Sequence, residues 1–204
     1  MNLTDRFALS VWALFGLWLI LRLPFVTRMS VTQRTATLLL GYVIAMVPVA
    51  GLSLAGALRG MLGDLSTTST LLLSAALFTR LRFLVNGNAA PLWNARERFS
   101  VLLFISVLAL LLYPFALGIG TLDPYRAGFG SVSLLLMLAL LSLWFMRRGL
   151  YLLPFVCALS VMAWSMRLLE STNLWDYLLD APLAIYAIVQ TVKAMLEARK
   201  VERV

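Results

Sequence analysis

The chain has no histidine, and its only thiol is Cys157. The first absence removes histidine-ligated haem and zinc, serine–histidine and cysteine–histidine nucleophile pairs, and histidine phosphoryl carriers. Intramembrane proteases and lipid phosphatases that depend on histidine go with them. The second removes iron–sulfur and thiolate–zinc centres and any internal disulfide. Cys157 lies among Phe155, Val156, Ala158 and Leu159, so it reads as a packing residue and not a reactive one. Neither a Gly-x-x-x-x-Gly-Lys-Ser/Thr nor a Gly-x-Gly-x-x-Gly phosphate cradle occurs. No metal or other cofactor is expected. Carboxylates are the only catalytic groups left, and an enzymatic reading trails a non-catalytic one.

Charge is scarce as well. Only 13% of residues are charged against 62% hydrophobic, with a mean hydropathy of +0.92. That exceeds what a soluble core can hide. A helix needs about 20 apolar residues to cross the roughly 30 Å hydrocarbon layer. Seven segments of about that length stand out: 7–26, 36–58, 64–83, 99–118, 131–146, 150–166 and 174–196. The fold expected is an all-α, polytopic transmembrane helix bundle with short loops, one integral membrane domain over 1–204. Segment 7–26 reads as a retained helix, because no basic leader precedes it and no small-x-small cleavage site follows.

The basic residues set an orientation, since Lys and Arg in short loops stay cytoplasmic. With seven spans one side collects Arg22, Arg28, Arg34, Arg80, Arg82, Arg96, Arg98, Arg147, Arg148, Lys193, Arg199, Lys200 and Arg203. The other holds only Arg6, Arg59, Arg126 and Arg167. Six of the nine acids fall on that poorer side: Asp5, Asp64, Asp123, Glu170, Asp176 and Asp180. The expectation is an external N-terminus and a cytoplasmic C-terminus, with the last helix continuing through the basic tail. Segment 64–83 is the weakest span, with hydroxyls at 66–70 and Arg80 in its last turn. A six-span alternative omits it and moves the N-terminus inside. The net charge of +8 then has an ordinary cause and suits anionic lipid headgroups, without nucleic acid. Fifteen Arg against two Lys point to a GC-rich bacterial source, hence the inner (plasma) membrane.

One outer-side stretch carries most of the remaining chemistry. In 170–182, Asp176 and Asp180 are four residues apart, with Tyr177 beside them and Glu170 just upstream. On a helix beginning near Leu174 they would share a face. Asp123, Arg126 and Asp64 are expected on the same side, giving a candidate ligand or partner cluster of Asp176, Asp180, Tyr177, Glu170, Asp123, Arg126 and Asp64. A bland reading competes with it: Asn173 caps the helix, the acids favour its positive end, and Pro182 kinks it. Gly51, Gly56 and Gly60 have the small-x-x-x-small spacing that lets helices approach closely. Pro48 and Pro154 are expected to bend their helices. The tryptophans lie mostly near segment ends, as interfacial anchors do.

Two functions fit. One is a non-catalytic scaffold or accessory subunit that holds a membrane protein partner in a cell-envelope complex. The other is a small transporter or a binder of a polar or lipid-linked substrate that uses the acidic cluster. Transport usually requires polar groups near the midplane, and only Gln190, the hydroxyls and the Pro48 break qualify.

Overall fold

The computed structural model describes residues 2–87 and 89–201, with side chains as far as Arg199. The side chain of Lys200, and Glu202 and Arg203 of the basic tail, lie outside the described residues. The chain divides into two compact units: Met1–Leu65, Ser69–Leu92 and Leu168–Glu170 form unit 1, and Ser66–Thr68, Trp93–Arg167 and Ser171–Val204 form unit 2.

Unit 1 begins with α1 (Leu3–Ile20), started by a capping box in which Asn2 and Asp5 satisfy each other's amides. A 3-10 turn (Pro24–Arg28) leads to α2 (Val31–Met46), which Ser30 and Gln33 cap in the same way. The next proline ends α2. Pro48 has no amide to donate and forces its predecessor out of the helical region, and Val47 accordingly has ψ 125°. Ala50 and Gly51, at φ 53° and 86°, turn the chain, and Val49 and Leu52 exchange backbone hydrogen bonds. Then α3 (Leu54–Leu62) starts on a Ser53 cap. Segment 36–58, expected as one crossing, is therefore two helices. α4 (Thr67–Asn86) follows.

Val11, Trp12, Ala55 and Leu65 make a buried cluster in unit 1, packed by Phe7, Phe15, Leu58 and Leu73. Trp12 is no interfacial anchor: it is 2% exposed, and its indole N–H donates to the Gly63 carbonyl at 3.0 Å. Nor is the close helix approach where the glycine spacing placed it. Gly51 lies in the turn, Gly60 faces open space, and Gly56 is nearest to Ser53 and Leu52 of its own stretch, with Leu9 of α1 at ordinary contact distance. Gly41 is the tight position, where a Cβ would come within 2.9 Å of Ile20 on α1.

Unit 2 contains α5 (Ala95–Ala116), a 3-10 turn (Pro124–Gly128), α6 (Val132–Arg147), α7 (Leu152–Ser165), the one-turn α8 (Trp175–Leu178) and α9 (Ala181–Val201). α5 packs on α9 and α7, and α6 packs on α7. Pro154 sits in the first turn of α7, where its missing amide costs no hydrogen bond. The same holds for Pro182 in α9. It does not kink a helix begun at Leu174, because that helix stops at Leu179, which is extended at φ −145°, ψ 154°.

Among the described residues, α1, α4 and α5 are long and apolar enough to cross a membrane. α4 covers the segment that the six-span alternative omits. α6 and α7 are apolar but only 16 and 14 residues long. At 1.5 Å per residue, about 20 residues are needed to span the hydrocarbon. The structure is an all-helical chain with three candidate membrane-spanning helices.

Candidate functional site

In unit 2 the 3-10 turn 124–128 and the segment 171–176 are tied together through the backbone. Gly128 supplies its carbonyl to the Leu174 amide at 2.8 Å. Asn173, fully buried, donates from Nδ2 to the Tyr125 carbonyl at 2.9 Å and accepts the Trp175 amide at Oδ1. Trp175 donates its indole N–H to the Pro124 carbonyl at 3.1 Å. A side chain at position 128 would overlap the Asn173 amide, so only glycine permits this approach. Asn173 thus joins two loops while its Oδ1 also holds the first amide of α8.

The consequence is a defined carboxylate. The Tyr125 hydroxyl donates to Asp176 Oδ2 at 2.7 Å, and the Ser171 hydroxyl donates to the same oxygen. Asp176 Oδ1 accepts no hydrogen bond from any described residue. Burial, followed by the hydrogen bond to Asp176 and the nearby negative charge, pushes the Tyr125 phenol well above its ordinary pKa. It therefore stays a donor. Asp176 lines a small, shallow cleft of about 40 Å³ together with Leu112, Tyr113, Ala116, Tyr125, Trp175 and Leu179. A carboxylate oxygen beside three aromatic rings suits an ammonium or hydroxyl-bearing group.

The neighbours expected to share that role have other bonds. Asp180 is 8% exposed and caps α9: Oδ1 accepts the Leu183 amide at 2.8 Å, and Oδ2 accepts the Ser66 amide at 2.7 Å. It is not on one helix with Asp176, since Leu179 interrupts the two. Tyr177 is fully buried, with its hydroxyl on the Ser171 carbonyl at 3.0 Å and its own carbonyl accepting the Ser160 hydroxyl. Asp123 caps the 3-10 turn through the Arg126 amide at 3.1 Å. The Arg126 side chain is exposed.

Asp64 and Glu170 belong to unit 1, where they meet on Arg59. Arg59 Nε donates to Asp64 Oδ1 at 2.6 Å, and Nη1 donates to Asp5 Oδ1 at 2.9 Å. Nη2 lies 2.8 Å from Glu170 Oε1 in an ion pair whose direction is not that of a hydrogen bond. Asp64 Oδ2 also accepts the Glu170 amide at 3.2 Å. Three carboxylates are thus committed to one internal cation.

Sequence reasoning missed Arg59, Asp5, Tyr125, Ser171 and Tyr113. A signal existed for Arg59, one of only four cations on the acid-rich side. For Tyr125 and Ser171 none did, because their partner lies about fifty and five residues away on other elements. Comparison with protein-family models, curated proteins and solved structures finds no match to this chain.

Proposed function

We propose that the chain is an integral scaffold or accessory subunit of a cell-envelope membrane complex, in the inner membrane of a bacterium. The observation that carries this reading is the internal use of its carboxylates. Asp5, Asp64 and Glu170 pair with Arg59, and Asp180 and Asp123 cap backbone. Little is left over for chemistry. Long apolar side chains such as Leu39, Leu40, Val43 and Ile44 on α2, and Leu136, Leu140 and Leu143 on α6, are exposed, which suits lipid or partner helices. In this proposal the helices make seven crossings, with α2 and α3 together as one, and the N-terminus is external. Purification from the native host in mild detergent tests the reading. A stoichiometric co-purifying membrane protein supports it, and a chain that elutes alone counts against it.

The Asp176 cleft favours a second reading, a binder of a polar or lipid-linked substrate. Asp176→Asn at matched membrane abundance separates the two. Loss of the host phenotype with normal abundance supports the binder, and full complementation leaves the scaffold.

A further inference from the structure

Among the described residues of unit 1, Arg34 is the one guanidinium that is both buried and without a carboxylate. It is 6% exposed. Nη1 donates to the Leu84 carbonyl at 2.8 Å and Nη2 to the Met29 carbonyl at 3.0 Å, while Nε is buried with no partner. The three acids of unit 1 pair instead with Arg59. A buried charge normally takes a counter-ion, because hydration is lost and two carbonyl dipoles replace only part of it.

Further arginines surround the same end of the unit. Arg80 Nε donates to the Leu21 carbonyl at 3.1 Å, which puts Arg22 beside the last turns of α4. Arg22 itself lies over Trp18, 4.3 Å from the ring centroid. Arg28 precedes Met29, whose carbonyl Arg34 binds. All three acids of unit 1 are at the far end of α1 and α4, on Arg59. Exposed arginines at a cytoplasmic face need no ligand to explain them. A buried one lacking an anion does.

We propose that this end of unit 1 is a binding site for a phosphate-bearing anion, with Arg34 as its buried cation and Arg22, Arg28 and Arg80 as its rim. Guanidinium forks match phosphate oxygens in geometry and charge. α1 and α4 are both candidate spans, so their ends fall at headgroup level and an anionic lipid headgroup is the natural source. The proposal does not depend on either reading of the Asp176 cleft.

The test uses the full chain in uncharged detergent, titrated separately with phosphatidylglycerol, phosphatidylcholine and inorganic pyrophosphate, and followed by native mass spectrometry and thermal unfolding. Phosphatidylglycerol should bind and raise the melting temperature where phosphatidylcholine does not. Arg34→Gln risks misfolding, so the main variant is Arg22→Gln/Arg28→Gln, which leaves the Arg34 bonds in place. It should weaken phosphatidylglycerol binding roughly 30-fold, about fivefold per arginine. The charge-matched control Arg6→Gln/Arg126→Gln should leave binding unchanged. Pyrophosphate competing with the lipid supports the site and identifies soluble phosphate as a second source; response to the lipid alone supports the site and identifies the headgroup. Equal binding of both lipids, or equal losses in the two double variants, overturns the proposal.

Discussion

Arg59 neutralises acids from three separate stretches of chain, and the three partners differ in what they contribute. Glu170 is 67% exposed and badly directed, so water screens most of that pair. Asp64 is 14% exposed and bonded at 2.6 Å. Glu170→Gln should therefore change unfolding in detergent by under about 0.5 kcal/mol. Arg59→Gln leaves three carboxylates facing one another and should cost about 2 kcal/mol. Comparable losses from both variants would show that the triad is not organised around the Asp64 bond. Tyr125 gives a pH signature. Its folded pKa is raised and an unfolded tyrosine titrates near 10, so above about pH 10 the unfolded chain loses the proton first. The stability from the Tyr125–Asp176 bond is complete below that pH and declines as pH rises further. Tyr125→Phe should flatten the alkaline limb of a stability–pH curve, and an unchanged limb would refute the assignment.

At the scale of elements, proline and aspartate decide where helices begin and end. Pro48 ends α2, whereas Pro182 lies in the tolerant first turn of α9 because Asp180 has already started that helix. Asp180 also holds the Ser66 amide just before α4, so one carboxylate serves two helix starts. Asp180→Ala leaves two backbone amides without their acceptor and should cost about 2–3 kcal/mol, with Asp180→Asn near 1 because it keeps one acceptor oxygen. Thermal unfolding of the two variants in the same detergent checks the order. A silent Asp180→Ala would mean that Asp180 is a solvated surface acid, as sequence spacing alone allows.

For the whole molecule, topology is the property most open to direct test. The proposed orientation rests on 13 basic residues on one side and 4 on the other. A reporter fused after Val204 should be active only in the cytoplasm, and a tag at Asn2 should be reachable from outside. Both termini inside would remove the seven-crossing proposal and leave an even number of spans. α4 makes omission of segment 64–83 the less natural route to six, since it is a candidate span in its own right.

Composition and local chemistry determined the all-helical class and the three helices long and apolar enough to cross a membrane; the caps at Asn2, Ser30, Ser53 and Asn94, not singled out from the sequence, are equally local. These follow from apolar run length and from side chains that satisfy amides two or three residues away, so they are written within one stretch of chain. The break at 47–53 was half legible: Pro48 announced a disturbance, but whether a helix bends or stops depends on what the freed groups find around them. The division of the acids was not legible at all. Spacing placed Asp176 and Asp180 on one face and grouped Asp64 and Glu170 with them. Tertiary packing gave Asp64 and Glu170 to Arg59, Asp180 to two helix starts, and Asp176 to Tyr125 and Ser171. A carboxylate's role is set by which donors reach it in three dimensions, and those donors come from residues up to 114 positions away.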